Sequence, residues 1–303
     1  MNRTNQKFSG ARDIFLAFIL CVLIVLAVRL DKNENHSLTF NGAVQQSIPG
    51  KERSSKSSKP KKKDIFFIRE FKWKDPTKKE RKTEFSIPAS ALKDEIKKFG
   101  KPRSMTHPLL MKGRGFKIIG KQSYIRNRQV LERLFTIVDY KQIFQRNLKY
   151  FPTLTGTLIS SVELVPEKDP LHTFLSFVQY IRYQQPPKYY KGKFIGAFFV
   201  PLVSLYEKYG DCDSKSMLLA EFLATFPDSK EKTGMVLVRG NGLSHALLGV
   251  KRKPLPGMTA LYFQEKGYFI VLETTHPGWA PGFIDRRLTD ALKAGYFLFV
   301  DLN

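Results

Sequence analysis

The sequence predicts an α+β protein that follows a single apolar N-terminal segment. Three observations predict it. An uncharged run, Ile14–Val28, stands near the start of the chain. From Ile65 onward, short alternating apolar runs and runs of helical spacing follow one another, separated by turn residues. In the last third, a cysteine opens a helical pattern, and a histidine and a glutamate lie on two later strand patterns. With 303 residues and 42% hydrophobic content the chain can bury a core, which excludes disorder along most of its length.

Residues 1–13 form a short tail carrying Arg3, Lys7 and Arg12. Residues 14–30, "IFLAFILCVLIVLAVRL", are about long enough to cross a thin hydrocarbon core. A cleaved signal peptide is the competing reading, but "LAVRLDKNENHS" lacks the small-x-small pattern that cleavage needs. The favoured reading is an uncleaved transmembrane signal anchor. The charges of the tail then put the N-terminus in the cytoplasm and the bulk of the chain on the periplasmic, extracytoplasmic side of the inner membrane.

Residues 31–64 read as a basic, disordered linker. Its stretch "KERSSKSSKPKKK", Lys51–Lys63, holds seven Lys or Arg against one Glu and has no apolar residue to bury. It is a solvated spacer or a patch that adheres to anionic lipid or wall polymer. The formal charge of +24 also suits a polyanionic partner. Nucleic acid is the weakest of these expectations, because no RNA- or DNA-binding signature accompanies the charge.

Residues 65–168 read as a small α+β region. "DIFFIREFKWKDPTKKERKTEFSIPAS" is hairpin-like, and Trp73 in it is a packing residue. "SALKDEIKKFG" reads as a helix capped by Ser90 and ended by Gly100. "NRQVLERLFTIVDYKQIFQRNLKYF" has helical spacing and ends before Pro152. The third region, 169–303, begins with a helix at Asp169–Pro170 whose stripe is Leu171, Phe174, Leu175, Val178 and Ile181. A long loop then leads to a short helix closed by Gly210.

Cys212 falls in the first turn of the next helix, "CDSKSMLLAEFLA". The free N–H groups of a helix start favour a thiolate and can bind an oxyanion. Asp211 and Asp213 oppose a thiolate, although Asp also caps helices well. Taken alone, Cys212 is either a nucleophile or a small core residue. Cys21 and Cys212 are the only cysteines, which excludes a cysteine-based metal site. A nucleophilic thiol needs a base. The candidates are His36, His107, His172, His276 and His245. His245 opens an apolar strand after a Gly-Asn-Gly turn, so it is either a core ring or one presented at a cleft. Glu273 ends the strand pattern Tyr268–Leu272, where it either points into water or pairs with a neighbouring His.

The order "GDCDSKSMLLAEFL", "SHALLGV", "YFIVLETT" resembles the transglutaminase-like, papain-type superfamily, and within it the bacterial transglutaminase-like cysteine peptidases. The resemblance covers about Leu171–Asn303. It implies a papain/transglutaminase-like core, with the cysteine at a helix N-terminus packed on an antiparallel sheet that carries His and acid. It also implies a catalytic triad of Cys212, His245 and Glu273, with Asp211, Asp213 and Thr275 in support and Gln179 as an oxyanion-hole amide. Asp285 is the fallback acid. The chain departs from the family pattern at Glu273, where Asp is usual, and at Thr274, where Pro is usual. The implied activity is hydrolysis of a protein or peptide amide through a thioester, without a required cofactor; some bacterial members of the resembling group depend on Ca²⁺, which Asp211 and Asp213 would touch here. Transglutaminase chemistry is its close variant. A non-catalytic binding or scaffold protein is the alternative.

Overall fold

The computed structural model describes residues 64–102, 113–126, 129–162, 170–227, 229, 231–240 and 242–303. Contacts divide the chain between Pro60 and Lys61, and everything described here belongs to the second unit. The expected α+β class with a membrane helix is corrected. Helices and strands are mixed along the described chain, strands are numerous, and no helix among the described residues is long and apolar enough to cross a membrane. The segment 14–30 and the linker through Lys63 lie outside the described residues.

The chain opens with a hairpin, β1 (Phe66–Lys74) and β2 (Glu80–Pro88), in continuous antiparallel register. Asp75 ties its turn by accepting from the amides of Thr77 and Lys79. Helix α1 (Ala89–Lys98) follows directly. Pro88, not Ser90, occupies its N-cap, because β2 runs straight into the helix; the amide of Ser90 instead donates to Asp64. After β3 (Lys101–Pro102), the strands β4 (Phe116–Arg126) and β5 (Gln129–Val138) form a second hairpin. Residues 129–138 are thus a strand where helical spacing predicts a helix. Apolar residues fall there on both periods, and pairing with β4 decides between them. Asp139 then caps α2 (Tyr140–Asn147), accepting from the amide of Gln142. A turn of 3₁₀ helix (Leu148–Tyr150) joins it to α3 (Phe151–Ser160). Pro152 begins α3 rather than ending a helix, since a proline in the first turn forfeits no intrahelical bond.

Helix α4 (Pro170–Tyr180) leads into the short strands β6 (Arg182–Tyr183), β7 (Tyr189–Tyr190) and β8 (Lys193–Phe194). Helix α5 (Pro201–Glu207), β9 (Tyr209–Gly210) and α6 (Cys212–Ala224) come next. The main sheet is built from β10 (Thr233–Gly240), β11 (Leu243–Lys251), β12 (Ala260–Phe263), β13 (Gly267–Leu272) and, after α7 (Arg286–Lys293), β14 (Phe297–Asp301). Its order is β12-β13-β11-β10-β14, antiparallel throughout.

One hydrophobic cluster runs from Phe71 to Leu302, so 65–168 and 169–303 share a core. Phe177 on α4 lies at its centre. Its ring makes edge contacts of 5.5–5.7 Å with Phe71, Trp73 and Phe85 of the first hairpin and with Phe222 of α6. Trp73 is a packing residue, 2% exposed, with its indole N–H on the Thr83 hydroxyl at 3.0 Å.

Helix α6 is buried on every side from Ser214 to Leu223, so its polar residues go into the core with the apolar ones. Among them, neither carboxyl oxygen of Glu221 has a protein partner. Burial, and then the charge of Glu95, push this carboxyl well above the usual range, against the pull of Arg146. It is therefore neutral when folded and ionised when unfolded at neutral pH. The folded state holds a proton that the unfolded chain releases, so this group costs stability increasingly as pH rises above the unfolded value near 4.5. Glu221→Met is expected to stabilise the protein by about 1–3 kcal/mol at pH 7. Denaturant titration at pH 5 and pH 7 checks this, with the larger gain at pH 7.

Candidate active site

The site forms where the start of α6 meets β11, the helix and strand that pack most extensively on one another. Asp211 is the N-cap of α6, with extended backbone, and its carboxylate accepts from the amide of Ser214 at 3.3 Å and its hydroxyl at 2.5 Å. Gly210 precedes it because the chain passes close to the helix. A β-carbon there would stand 3.0 Å from that of Ser214. Cys212 is the first helical residue and is partly accessible. Its sulfur meets the backbone amide of Ala246, the residue after His245 on β11.

His245 Nε2 lies 2.8 Å from Glu273 Oε2. The Glu273 side chain is fully buried, whereas that of His245 is 18% exposed. Glu273 Oε1 accepts from Thr275 twice, from its amide at 2.8 Å and its hydroxyl at 2.6 Å. Burial alone would raise the Glu273 carboxyl, but the bond and charge of His245 and the bonds from Thr275 outweigh it and hold the group below the usual range. Glu273 is thus an anion aimed at one ring nitrogen. A carboxylate can only accept, so Nε2 carries the hydrogen in this contact and Nδ1 faces away from Glu273.

The thiol itself is not poised as an anion. Burial pushes it up to about 12, helped by the negative charges of Asp213 and Asp211, and the amides of Ala246 and Asp213 only partly offset this. Asp213 is also pushed well above the usual range, first by its desolvation and then by Asp211, while Tyr140 on α2 donates to it at 2.8 Å. The two aspartates are therefore a structured pair at the helix start, and they disfavour a resting thiolate.

The Gln179 side chain, expected as an oxyanion-hole amide, is engaged elsewhere in the structure. Its side-chain NH₂ donates to the carbonyls of Glu273 and Trp279, both at 2.9 Å, and its oxygen accepts from the amide of Gly278 at 3.0 Å. It braces the loop that follows β13, because all three of its bonds are with that loop's backbone. Asp285 does not replace Glu273 either. It caps α7, accepting from the amide of Arg287 at 2.8 Å. Of the other histidines, His36 and His107 lie outside the described residues and His172 sits on α4. His276 stacks on Trp279 with ring centres 4.4 Å apart.

Three contributors escape sequence reasoning. Thr274 is fully buried, and its hydroxyl reaches the carbonyl of Cys212 at 3.4 Å and the hydroxyl of Ser216 at 3.2 Å. It thereby ties the acid-bearing loop to α6. Lys215 is 0% exposed, and its ammonium donates to the carbonyls of Gln179 and Ile181 at 3.1 and 2.8 Å. Burial pulls Lys215 down to about 7, and the charge of Glu273 opposes that. Tyr140 comes from a distant part of the sequence. A signal for Lys215 does exist, since apolar residues fall on every face of α6 and leave its lysine no route to water.

The chain matches no protein-family model and no curated protein.

Proposed function

We propose that the protein is a thiol hydrolase that cleaves amide bonds in proteins or peptides through a thioester on Cys212, as its resemblance to transglutaminase-like cysteine peptidases implies. The observation that carries this reading is the 2.8 Å contact of His245 with a buried, ionised Glu273, placed beside a thiol at a helix start. Because the thiol rests protonated, its proton leaves for His245 Nδ1 as sulfur attacks the carbonyl carbon. Backbone N–H at the start of α6 holds the oxyanion. The imidazolium returns the proton to the departing amine as the C–N bond breaks. Water then hydrolyses the thioester and regenerates the thiol; an amine in place of water gives the transglutaminase outcome.

The raised thiol favours a second reading, a binding protein that keeps this arrangement without turnover. Acylation of the full chain by p-nitrophenyl acetate, followed by intact mass, separates the two. The hydrolase reading expects an acetyl adduct on Cys212 that forms in the wild type and at least about 100-fold more slowly in His245→Ala. Equal rates in the two proteins would favour the binding protein.

A further inference from the structure

We infer that a basic groove beside the site binds an acidic stretch of a polypeptide and leads it toward Cys212. Two adjoining clefts, of about 430 and 460 Å³, share Lys72 and Tyr180 as a common wall. Their linings hold six cations, Lys72, Lys74, Arg81, Lys82, Arg182 and Lys208, against three carboxylates. Three of the cations are engaged: Lys82 with Glu70 at 2.9 Å, Lys74 with Glu80 at 3.9 Å, and Arg81 with Asp75 at 2.8 Å. Glu207, in the second cleft, accepts from the Tyr190 hydroxyl. Lys72, Arg182 and Lys208 are exposed; the charges of Lys72 and Lys208 act on Glu70, which Lys82 already pairs, so six cations against three carboxylates leave the groove a surplus of positive charge.

The second cleft reaches the strands that lead into the site, since Arg182 and Tyr209 line it. Arg182 pairs with Tyr209 and Tyr183 with Gly210 in the parallel β6–β9 ribbon, and Asp211 and Cys212 come next in the chain. Tyr183 is 54% exposed, and its phenol lies within the fields of Cys212, Asp211, Asp213 and Glu273. A chain in the groove meets the surplus cations, so the fitting polypeptide is acidic where it lies there. A nucleic acid suits this less well, because Glu70, Glu80 and Glu207 interrupt any continuous phosphate track. The inference rests on Cys212 as the functional centre for where the groove leads, but not on turnover.

The test uses full-length protein throughout, so that residues 51–63 contribute equally to every variant. The first measurement is fluorescence anisotropy of a fluorescein-labelled decapeptide of alternating Glu and Ser, with Cys212→Ala as the host. Adding Lys72→Gln, Arg182→Gln and Lys208→Asn is expected to weaken binding at least about tenfold, since each removes an exposed cation. Asn suits the left-handed backbone at position 208, where φ is 64°. An unchanged melting temperature verifies that the triple variant folds. With Cys212 intact, the same peptide is expected to slow iodoacetamide labelling of Cys212, read by peptide mapping, where a Gly-Ser decapeptide does not. Equal binding by the triple variant overturns the proposal. So does tighter, substitution-sensitive binding of an oligouridine, or a bound peptide that leaves labelling unchanged. Because no readout needs hydrolysis, a protein that binds and is protected but does not acylate keeps the groove and loses the hydrolase.

Discussion

Replacing Glu273 by Gln is expected to slow acylation of Cys212 by about 10²–10⁴-fold with little change in stability, because it forces the wrong histidine tautomer. The two oxygens of Glu273 have separate partners: Thr275 donates twice to Oε1, and His245 meets Oε2. In Glu273→Gln the amide oxygen stays with Thr275, whose amide and hydroxyl both need an acceptor. The new NH₂ therefore faces His245 Nε2, which must then carry a lone pair. The proton moves to Nδ1, and the nitrogen that should take the thiol proton becomes a donor. An amide for carboxylate change in a serine-type triad costs about 10⁴-fold for the same reason. Two measurements check the argument. Acylation kinetics give the rate, and ¹⁵N chemical shifts of His245 give the tautomer. A slow variant that keeps the Nε2–H tautomer would refute the mechanism offered for it. The double role of Thr275 makes a further demand. Thr275→Val removes only the hydroxyl donor, and the backbone amide of residue 275 still holds the amide oxygen, so the double variant with Glu273→Gln should remain slow.

Lys215→Met is expected to remove a large pH dependence of stability. The Lys215 ammonium is pulled from the ordinary value of 10.5 down to about 7 by burial, against the attraction of Glu273. Between these two values the unfolded chain binds a proton that the folded protein does not, so the stability of the wild type rises as pH goes from 7 toward 10.5. Below pH 7 both states are protonated and the folded protein bears the full cost of the buried charge. The span corresponds to on the order of 5 kcal/mol. Methionine has similar reach and does not titrate, so its stability curve should be nearly flat over that window. The carbonyls of Gln179 and Ile181 lose their donor in exchange, which costs about 1–3 kcal/mol each. The variant is therefore expected to be less stable than the wild type at pH 9.5 and to close that gap at pH 7. Denaturant titrations at the two pH values measure it. A gap that does not change with pH would mean that Lys215 is charged throughout.

This lysine also joins the parts of the site. One of its acceptors is the carbonyl of Gln179, whose side chain braces the backbone from Glu273 to Trp279. A change at Lys215 should reach His245 through that chain of contacts and through its charge on Glu273, which makes it a positioning residue.

How much of this was legible beforehand depended on the range of the interaction. Asp211 before an apolar helical run is a local signal, and it does cap α6. The alternating runs around a polar turn gave the first hairpin, because side-chain period and turn chemistry are both written within a few residues. Cys212, His245 and Glu273 were named through the resemblance that their motifs carry, and the tertiary structure brings His245 and Glu273 to 2.8 Å and sets the thiol beside the amide that follows His245. Local signals compatible with two structures leave the choice to longer-range pairing. Residues 129–138 satisfy both periods, and only pairing with β4 makes them a strand. Ser90 has the right chemistry for a cap, but the strand before it leaves the capping position to Pro88.

The sequence by itself determined the helix that Cys212 opens and its Asp211 cap, which follow from spacing and capping over a few residues; only the resemblance to a known family joined Cys212, His245 and Glu273 into one candidate site. The tertiary structure decided what could not be local. It spent the Gln179 amide on a loop, assigned one Glu273 oxygen to Thr275 and the other to His245, and buried Lys215 and Glu221. It also raised the thiol well above the value that a helix start alone would favour. The physical reason is desolvation. A charge's cost depends on every element packed around it, and here those elements come from parts of the chain as far apart as Tyr140 and Glu273.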